Sequence, residues 1–451
     1  MSEPRYGQPQ RYMSGLLETP QIEGRPDSLH SHTPSKSVSR LPFELLLHIL
    51  EYLGDDPTSI RACYRTCQKW CHVARRLVFK AVRIASLLRA DTLLEMLQRT
   101  QTLRSTIKEV TFDDTTRKAK RQGPQIGGGE SRDALAQLAK QLLAVDTVTF
   151  RSMSFFEVEH PNPFHVLTSM KSVRRVRFHR CRGTFTNLVK FIRAFPLLDA
   201  ISIVESGFAI GNLKSVKMVK LPQLSTLSIM GCTFEQEKMR SWFRSVATNE
   251  HWRSITVDIL HGYYMEETND LLQAAGPDLL SLGIKFPDSG PDPQVPPYRF
   301  KKKITIAHKS HKAGPPCIPA TRQAVLEQLV LFHNTGVRHI TLYNLNISEV
   351  STILDKLATD QIRTITISNP SATIAETALE DYNALDERLC RSELGRLEEF
   401  RILCEGKCNI GVIRKAVRDA CPLISAQNKL CVEKIPMSPS EFTGVPGIVP
   451  S

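Results

Sequence analysis

Three cysteines, Cys63, Cys67 and Cys71, are the first residues of this sequence whose spacing could support chemistry. Steps of four residues place three thiols along one side of a helix, where they could bind a metal ion. Zinc sites, however, use Cys-x-x-Cys pairs with further ligands nearby, and the sequence has no such pair. We therefore interpret these cysteines as small buried hydrophobic residues, and Cys404 and Cys408, which share the spacing, in the same way.

Other signatures of catalysis are also missing from the sequence. His48 and His72 have no acid or nucleophile partner at a recognisable spacing. The run Gly127-Gly128-Gly129-Glu130 lacks the Gly-Lys-Ser/Thr ending of a phosphate-binding loop. Paired carboxylates, a nucleophile elbow and a metalloprotease motif are not found either. We therefore expect a protein that is not an enzyme, needs no cofactor and has no metal site.

Basic residues are more informative, because 59 Lys and Arg against 46 Asp and Glu give a net charge of +13. An arginine can bind a phosphate or a carboxylate through two parallel hydrogen bonds. Six arginines are therefore candidates for binding an acidic or phosphorylated partner: Arg174, Arg175, Arg177, Arg253, Arg338 and Arg363. A basic surface that only contacts solvent is the alternative for any one of them.

A repeated pattern places these arginines on strands. Apolar residues recur at positions 0, 3 and 5 of successive segments, most of which follow one another after 25 to 28 residues. This is the period of leucine-rich repeats. A partial copy has only Ile304 and Ile306. The complete copies have these residues at position 3: Val110, Val148, Val176, Ile201, Leu227, Ile255, Leu282, Ile340, Ile365 and Phe400.

Each triplet predicts a short strand, and the stretches between triplets have the apolar spacing of helices. A strand and a helix stacked repeatedly form an α/β solenoid, with a curved parallel sheet on the concave side and helices outside. We predict this fold for residues 107–425, with positions 1, 2 and 4 facing the concave side. The competing fold is a wound α/β sheet with a central ligand site, and the regular spacing argues against it.

A different pattern occupies residues 39–86. Leu41-Pro42-Phe43-Glu44 begins a helix, since proline is tolerated in a first turn. Two or three short amphipathic helices follow, too few to bury all their apolar faces against one another. A partner or the next domain must cover the rest. The apolar residues at helical spacing are Leu45, Leu46, Ile49, Leu50, Leu53, Ile60, Cys63, Cys67, Trp70 and Ala74.

This segment resembles the F-box, whose pattern is Leu-Pro-x-Glu, an aliphatic helix, a turn, and then Cys or Ser followed after two residues by Trp. Here the second part reads Thr66-Cys67-Gln68-Lys69-Trp70, with Thr66 where the family usually has Val. Together with the repeats, the chain resembles a fungal-style F-box protein with divergent leucine-rich repeats. The resemblance implies a substrate receptor of an SCF-type cullin–RING ubiquitin ligase, which directs a client protein to ubiquitin-dependent degradation.

The resemblance also implies two partners. The F-box would dock the Skp adaptor, and the solenoid would bind a protein client, acidic or phosphorylated, through the six arginines. The implied adaptor contacts are Leu41, Pro42, Leu45, Leu46, Ile49, Leu50, Leu53, Cys67 and Trp70. Two alternatives stay open. The first is a nucleic-acid-binding repeat protein, which the positive charge favours, although this sequence has no aromatic residues interleaved with those cations. The second is a scaffolding repeat protein, in which the amino-terminal helices serve only as a cap of the solenoid.

The remaining segments are expected to connect or extend these parts. Residues 1–38 and 426–451 are predicted to be flexible tails, because they have few apolar residues or many prolines. Residues 87–106 are predicted to form a linker helix. No apolar run approaches the roughly 18 residues of a membrane helix. Eleven scattered cysteines favour a reduced compartment, either the cytoplasm or the nucleus.

Overall fold

A computed structural model describes thirteen stretches of the chain, and all structural statements refer to them. These stretches are residues 41–53, 57–85, 87–113, 136–155, 169–209, 224–234, 252–259, 265–286, 322–357, 360–369, 379–390, 394–404 and 409–434. The predicted tail 1–38, the partial repeat at Ile304 and Ile306, Gly127 to Glu130 and Cys408 lie outside the described residues.

Three helices come first: α1 (Phe43–Tyr52), α2 (Pro57–Thr66) and α3 (Gln68–Val78). Leu46 and Leu50 lie one turn apart on α1 and are fully buried. They pack with Ile60, Val73 and Ala74 into a cluster of their own, the helical core. The predicted helical module is therefore present and closes its own small interior.

Sixteen strands follow within the described residues, numbered in chain order, and twelve of them form one parallel sheet. Its order is β1-β2-β3-β5-β7-β9-β11-β12-β13-β14-β15-β16. The strand order never reverses, so the sheet lacks the switch point of a wound α/β fold, and the solenoid prediction is confirmed. The bounds are β1 (Ala81–Ile84), β2 (Glu109–Asp113), β3 (Thr147–Arg151), β5 (Arg175–His179), β7 (Ala200–Val204), β9 (Thr226–Met230), β11 (Ser254–Asp258), β12 (Ser281–Lys285), β13 (His339–Tyr343), β14 (Thr364–Asn369), β15 (Glu399–Cys404) and β16 (Leu430–Lys434).

Helices connect these strands and cover one face of the sheet. Polar side chains cap the amino-terminal ends of two of these helices. The Thr184 hydroxyl accepts a hydrogen bond from the Asn187 N–H at 3.2 Å, and Asn346 forms a capping box with Glu349. A further helical stretch covers residues 136–141. The other helices are α4 (Leu87–Arg99), α5 (Gln101–Thr106), Phe185–Arg193, Met265–Ala275, Arg322–Gln328, Ile347–Lys356, Leu379–Leu389, Ile410–Ala420 and Pro422–Ala426.

The main core lies between the sheet and the helices. Positions 3 and 5 of each triplet align across the strands, as in the register Val110 to Val148 and Phe112 to Phe150. The rings of Phe112, Phe150 and Phe178 consequently stack with centroids 5.6 and 5.5 Å apart. Stacked copies of one repeat position thus bury a continuous apolar column.

A turn ends each of several repeats at position 7, where Ser152, Arg180, Glu205, Gly231 and Asn344 all have positive φ. After three of these turns, position 8 carries a buried side-chain donor that bonds to carbonyl groups of the sheet. Cys181 Sγ donates to Phe150 O at 3.3 Å, Ser206 Oγ to Val204 O at 2.8 Å, and Cys232 Sγ to Ile203 O at 3.2 Å.

These two buried cysteines stay protonated. Burial raises the pKa of Cys181 and of Cys232 to about 12, so each thiol serves as a hydrogen-bond donor and not as a nucleophile. Past the turns, four two- or three-residue strands form a second parallel sheet in the order β10-β8-β6-β4. They are β4 (Ser154–Phe155), β6 (Arg182–Thr184), β8 (Gly207–Ala209) and β10 (Thr233–Phe234).

The solenoid is longer than predicted at both ends. β1 pairs with β2, so the sheet begins at Ala81 and not at residue 107. α4 and α5 bury Ala90, Leu97 and Leu103 in the main core, so residues 87–106 belong to the first repeat and are not a linker. β16 pairs with β15, so the prediction of a flexible tail over 426–451 is wrong for residues 430–434.

β12 pairs directly with β13, with Ser281 opposite His339, so these two described strands are neighbours in the main sheet. The predicted partial repeat at Ile304 and Ile306 falls on residues that are not described.

Candidate functional site

The structure divides the nine predicted adaptor contacts into three groups. Leu46 and Leu50 have no exposed surface, because they form the helical core. Leu41, Leu53 and Trp70 are half-buried and pack against that core. Pro42, Leu45, Ile49 and Cys67 are exposed. Leu46 and Leu50 are thus corrected from direct contacts to interior residues that support the surface.

The exposed face of α1 carries Leu45, Ile49 and Tyr52, which are 49%, 42% and 92% exposed. Steps of four and three residues put them on one side of the helix. We call these three residues the open α1 face. Tyr52 was not among the predicted contacts, although the same helical spacing from Leu45 would have identified it.

Packing against α3 holds this face outward. The centroids of the Phe43 and His72 rings are 6.2 Å apart. The guanidinium carbon of Arg76 lies 5.8 Å from the centroid of the Phe43 ring. The Lys69 ammonium donates to the Leu41 carbonyl, which joins the start of α1 to α3. These contacts fix the rotation of α1, so Leu46 and Leu50 point inward while the open α1 face does not.

A repeating hydrogen-bond pattern sets the position of the arginines. The N–H groups of Arg174 and Arg175 both donate to Asp146 O, at 2.8 and 2.9 Å, and those of Asp199 and Ala200 both donate to Arg174 O. The same two-to-one pattern recurs at every rung of the main sheet from β2 to β15. Position 1 therefore lies just before each strand. We call the residues at position 1 the edge row: Lys108, Asp146, Arg174, Asp199, Ser225, Arg253, Leu280, Arg338, Arg363 and Glu398.

A groove of about 1120 Å³ runs along part of this row, and we call it the edge groove. Arg174, Arg253 and Arg338 line it, together with Asp199 and Asp278. The expectation that position 1 faces the concave side is thus corrected: these residues lie at the amino-terminal edge of the strands, where the edge groove runs.

Five of the six candidate arginines separate into two sets, those with an acidic partner and those without one. Arg175 is paired with Asp146 at 3.0 Å, and Arg363 with Glu398 at 3.3 Å. Arg174, Arg253 and Arg338 are exposed and form no ion pair or side-chain hydrogen bond in the part of the chain that the structure describes. Three guanidinium groups in one groove are therefore available to an anion.

Arg177, the sixth arginine, projects from the middle of β5 beside position 4 of the neighbouring strands. Burial lowers its pKa, and the Glu109 carboxylate partly offsets that effect. Its row consists mostly of small residues, including Ser202, Ser228 and Thr256, which are buried. A Cβ atom added at Gly283 would lie 2.6 Å from the Thr256 hydroxyl oxygen, so the threonine side chain fills the space beside Gly283 in this row.

The nine cysteines of the described stretches form no disulfide bonds with one another. Cys404 is buried as predicted, Cys63 and Cys71 are half-buried, and the prediction is wrong for Cys67, which is exposed. No group of three or more His, Cys, Asp or Glu side chains within those stretches is placed to hold a metal ion. None of the helices in the described stretches has the length and apolarity needed to cross a membrane.

Comparison with known proteins identifies the amino-terminal part. Residues 38–85 match the family model described as F-box-like, which covers α1, α2, α3 and β1. No curated protein matches the chain significantly. A solved leucine-rich-repeat protein of Leptospira interrogans is 10% identical, with 78% of this chain and 99% of that chain covered and a TM-score of 0.23. The repeat fold is assigned from the strand order and register described above.

Proposed function

We propose that this chain, an F-box-like domain joined to a leucine-rich-repeat solenoid, is the substrate-recognition subunit of an SCF-type cullin–RING ubiquitin ligase. One observation carries the proposal: the F-box-like segment closes its own core and still leaves Leu45, Ile49 and Tyr52 exposed. An apolar helix face that its own chain does not cover is suited to a partner. The partner we propose is the Skp adaptor.

The energetics of the open α1 face support a stable contact. Full burial of a leucine or isoleucine side chain stabilises a complex by about 1.5–3 kcal/mol, so each half-exposed side chain contributes roughly half of that. Tyr52 adds an aromatic side chain of the kind enriched in binding hot spots. Pro42 and Cys67 are also exposed and extend the apolar surface that the adaptor would contact.

F-box and repeat architecture is typical of adaptor proteins that are not catalytic. In the proposed role, this chain contributes proximity: it holds a client close to the ubiquitin-carrying subunits, which supply the chemistry. We place this activity in the cytoplasm or the nucleus. A role of the helices as a plain cap is less consistent with the packing, because β1, α4 and α5 already form a first repeat that covers β2.

The experiment is a pull-down of the Skp adaptor by the full chain. We expect Leu45→Asp combined with Ile49→Asp to abolish capture, since two charges would have to be buried against the adaptor. Both residues are exposed, so the circular dichroism spectrum is expected to stay that of the wild type. Val412→Asp is the matched control, because Val412 is 59% exposed on a solenoid helix far along the chain. Undiminished capture by the double variant would refute the proposal.

A further inference from the structure

The three unpaired arginines of the edge groove have a defined spacing. Leu280 N–H donates to Arg253 O at 2.8 Å, and Arg338 N–H donates to Leu280 O at 2.9 Å, so Arg253 and Arg338 are two rungs apart. Neighbouring strands lie about 4.8 Å apart, which separates these two backbone positions by about 10 Å. Arg174 is three rungs from Arg253, or about 14 Å by the same spacing.

An extended peptide advances about 3.3 Å per residue, so three residues span about 10 Å. We propose that the edge groove binds an extended client segment with two anionic side chains three residues apart, one at Arg253 and one at Arg338, with Leu280 between them. A third anion, on the order of four residues away, would reach Arg174.

The acidic residues of the groove refine this specificity. Asp199 and Asp278 line the same groove and form no ion pair in the described stretches. A continuous acidic run would place negative charges beside these carboxylates, which is repulsive. Separated anions avoid them and still meet the arginines. The groove therefore selects spaced charges and discriminates against polyacidic sequences.

The groove lining also favours a peptide over a nucleic acid. No aromatic side chain lines the groove within the described stretches, and its apolar side chains are aliphatic: Pro196, Leu197, Leu198, Pro277 and Leu280. Bases of single-stranded nucleic acids bind by stacking on aromatic rings, for which this surface has no platform. Aliphatic contacts suit the uncharged residues of a client peptide.

The inference rests on the proposed function in one respect, that the segment belongs to a protein brought for ubiquitination. The test uses the full chain and an array of twelve-residue peptides, each a mixture of uncharged residues around two fixed phosphoserines. The separation of the two phosphoserines runs from one to eight residues. A parallel array carries aspartates in their place, and a third carries continuous acidic runs.

We expect binding to peak at a separation of three residues and to be weaker for the continuous runs. A peak on the phosphoserine array alone assigns a phosphorylated client, and a peak on both arrays assigns an acidic one; either result supports the proposal. Fluorescence anisotropy with the best peptide then gives dissociation constants for the variants. Arg253→Glu and Arg338→Glu are each expected to weaken binding about tenfold or more, since each removes a charge-assisted contact.

Arg175→Glu is the matched control, because Arg175 is exposed, is paired with Asp146 and does not line the groove. We expect it to change the dissociation constant by less than about twofold, as for a surface charge outside the contact. A flat profile over the separations, no binding, equal loss with Arg175→Glu, or tighter binding of a twelve-nucleotide RNA would overturn the inference. Adaptor capture, measured on the same variants, reports independently on the proposed function and is expected to be unchanged.

Discussion

Leu45 and Leu46 are neighbours in the sequence and have different roles in the structure. Leu46 is fully buried in the helical core, and Leu45 is 49% exposed on the open α1 face. The two leucines therefore provide a comparison in which the substitution is the same and only the environment differs.

We expect Leu46→Ala to lower the free energy of unfolding of the F-box-like domain by about 2–5 kcal/mol, because it leaves a cavity. Leu45→Ala is expected to change stability little and to weaken adaptor binding. Urea denaturation followed by circular dichroism, together with a binding assay, separates the two effects. Equal stability of the two variants would contradict the assignment of Leu46 to the helical core.

His179 provides a pH-dependent prediction at the same scale. It is buried at the end of β5, and burial lowers its pKa, with Glu205 and Asp113 opposing and Arg180 and Arg151 reinforcing the effect. The folded protein therefore holds His179 neutral where the unfolded chain takes up a proton. The ordinary pKa of a histidine is about 6.5. Above that pH protonation of His179 does not reduce the free energy of unfolding, and below it the free energy of unfolding falls until the pH reaches the lowered pKa of the folded state.

The measurement is the urea midpoint between pH 7.5 and pH 5. We expect the midpoint of the wild type to fall more steeply with acidification than that of His179→Gln. His48→Gln, which changes an exposed histidine of α1, serves as the control and is expected to follow the wild type. Parallel pH profiles for wild type and His179→Gln would show that His179 does not resist protonation.

At this scale the sequence predicted residue types better than roles. The apolar residues of α1 occupy a broad arc, and periodicity alone does not show which part of the arc packs inward. Two contacts between α1 and α3 determine which part packs inward: Phe43 of α1 lies against Arg76 of α3, and Lys69 of α3 donates to the Leu41 carbonyl just before α1. The six arginines were identified from the net charge and from their positions in the repeats. Those features do not show that Arg175 and Arg363 are paired, because their partners Asp146 and Glu398 lie 29 and 35 residues away.

Among the elements, β11 and β12 make an unusually close contact. Gly283 on β12 faces Thr256 on β11, and a Cβ at Gly283 would lie 2.6 Å from the threonine Oγ1 and 2.7 Å from its Cγ2. Only glycine permits these two strands to keep their register with a threonine opposite.

We expect Gly283→Ala to destabilise the solenoid by about 1–3 kcal/mol through overpacking. Thr256→Ala removes the two closest atoms, so the double variant is expected to recover part of the loss. Thermal unfolding of the two single variants and the double variant measures this coupling. Additive effects of the two substitutions would rule out the steric explanation.

Ten strands of the main sheet were predicted because their triplets alternate between core and surface, which is a local signal. β1 was missed although Phe79, Val82 and Ile84 follow the same spacing. β16 was missed because its first slot is the polar Gln427 and prolines follow. The edge groove depends on two N–H groups sharing one carbonyl at each rung, a backbone detail that side-chain periodicity does not reveal.

For the whole molecule, the two hydrophobic clusters do not share residues. The helical core belongs to α1, α2 and α3, and the main core begins with Phe79, Val82 and Ile84. The F-box-like domain and the solenoid are therefore expected to have separate stabilities.

We expect a chain that starts at residue 79 to keep the melting temperature of the solenoid, since it retains β1, α4 and α5. A chain that starts at residue 107 is expected to melt well below it, because β2 loses its neighbour and Val110 and Phe112 lose the helices above them. Calorimetry of both chains tests this. Similar melting temperatures would mean that the first rung does not act as a cap.

The unbroken order of the twelve strands also has a mechanical consequence. Each strand pairs only with its immediate neighbours, so a pulling force applied to the chain ends would peel the sheet inward from β1 or β16, one strand after another. Arg253 and Arg338 belong to the interior repeats. The part of the molecule that we propose to bind a client would consequently be among the last to unfold when the chain is pulled from its ends.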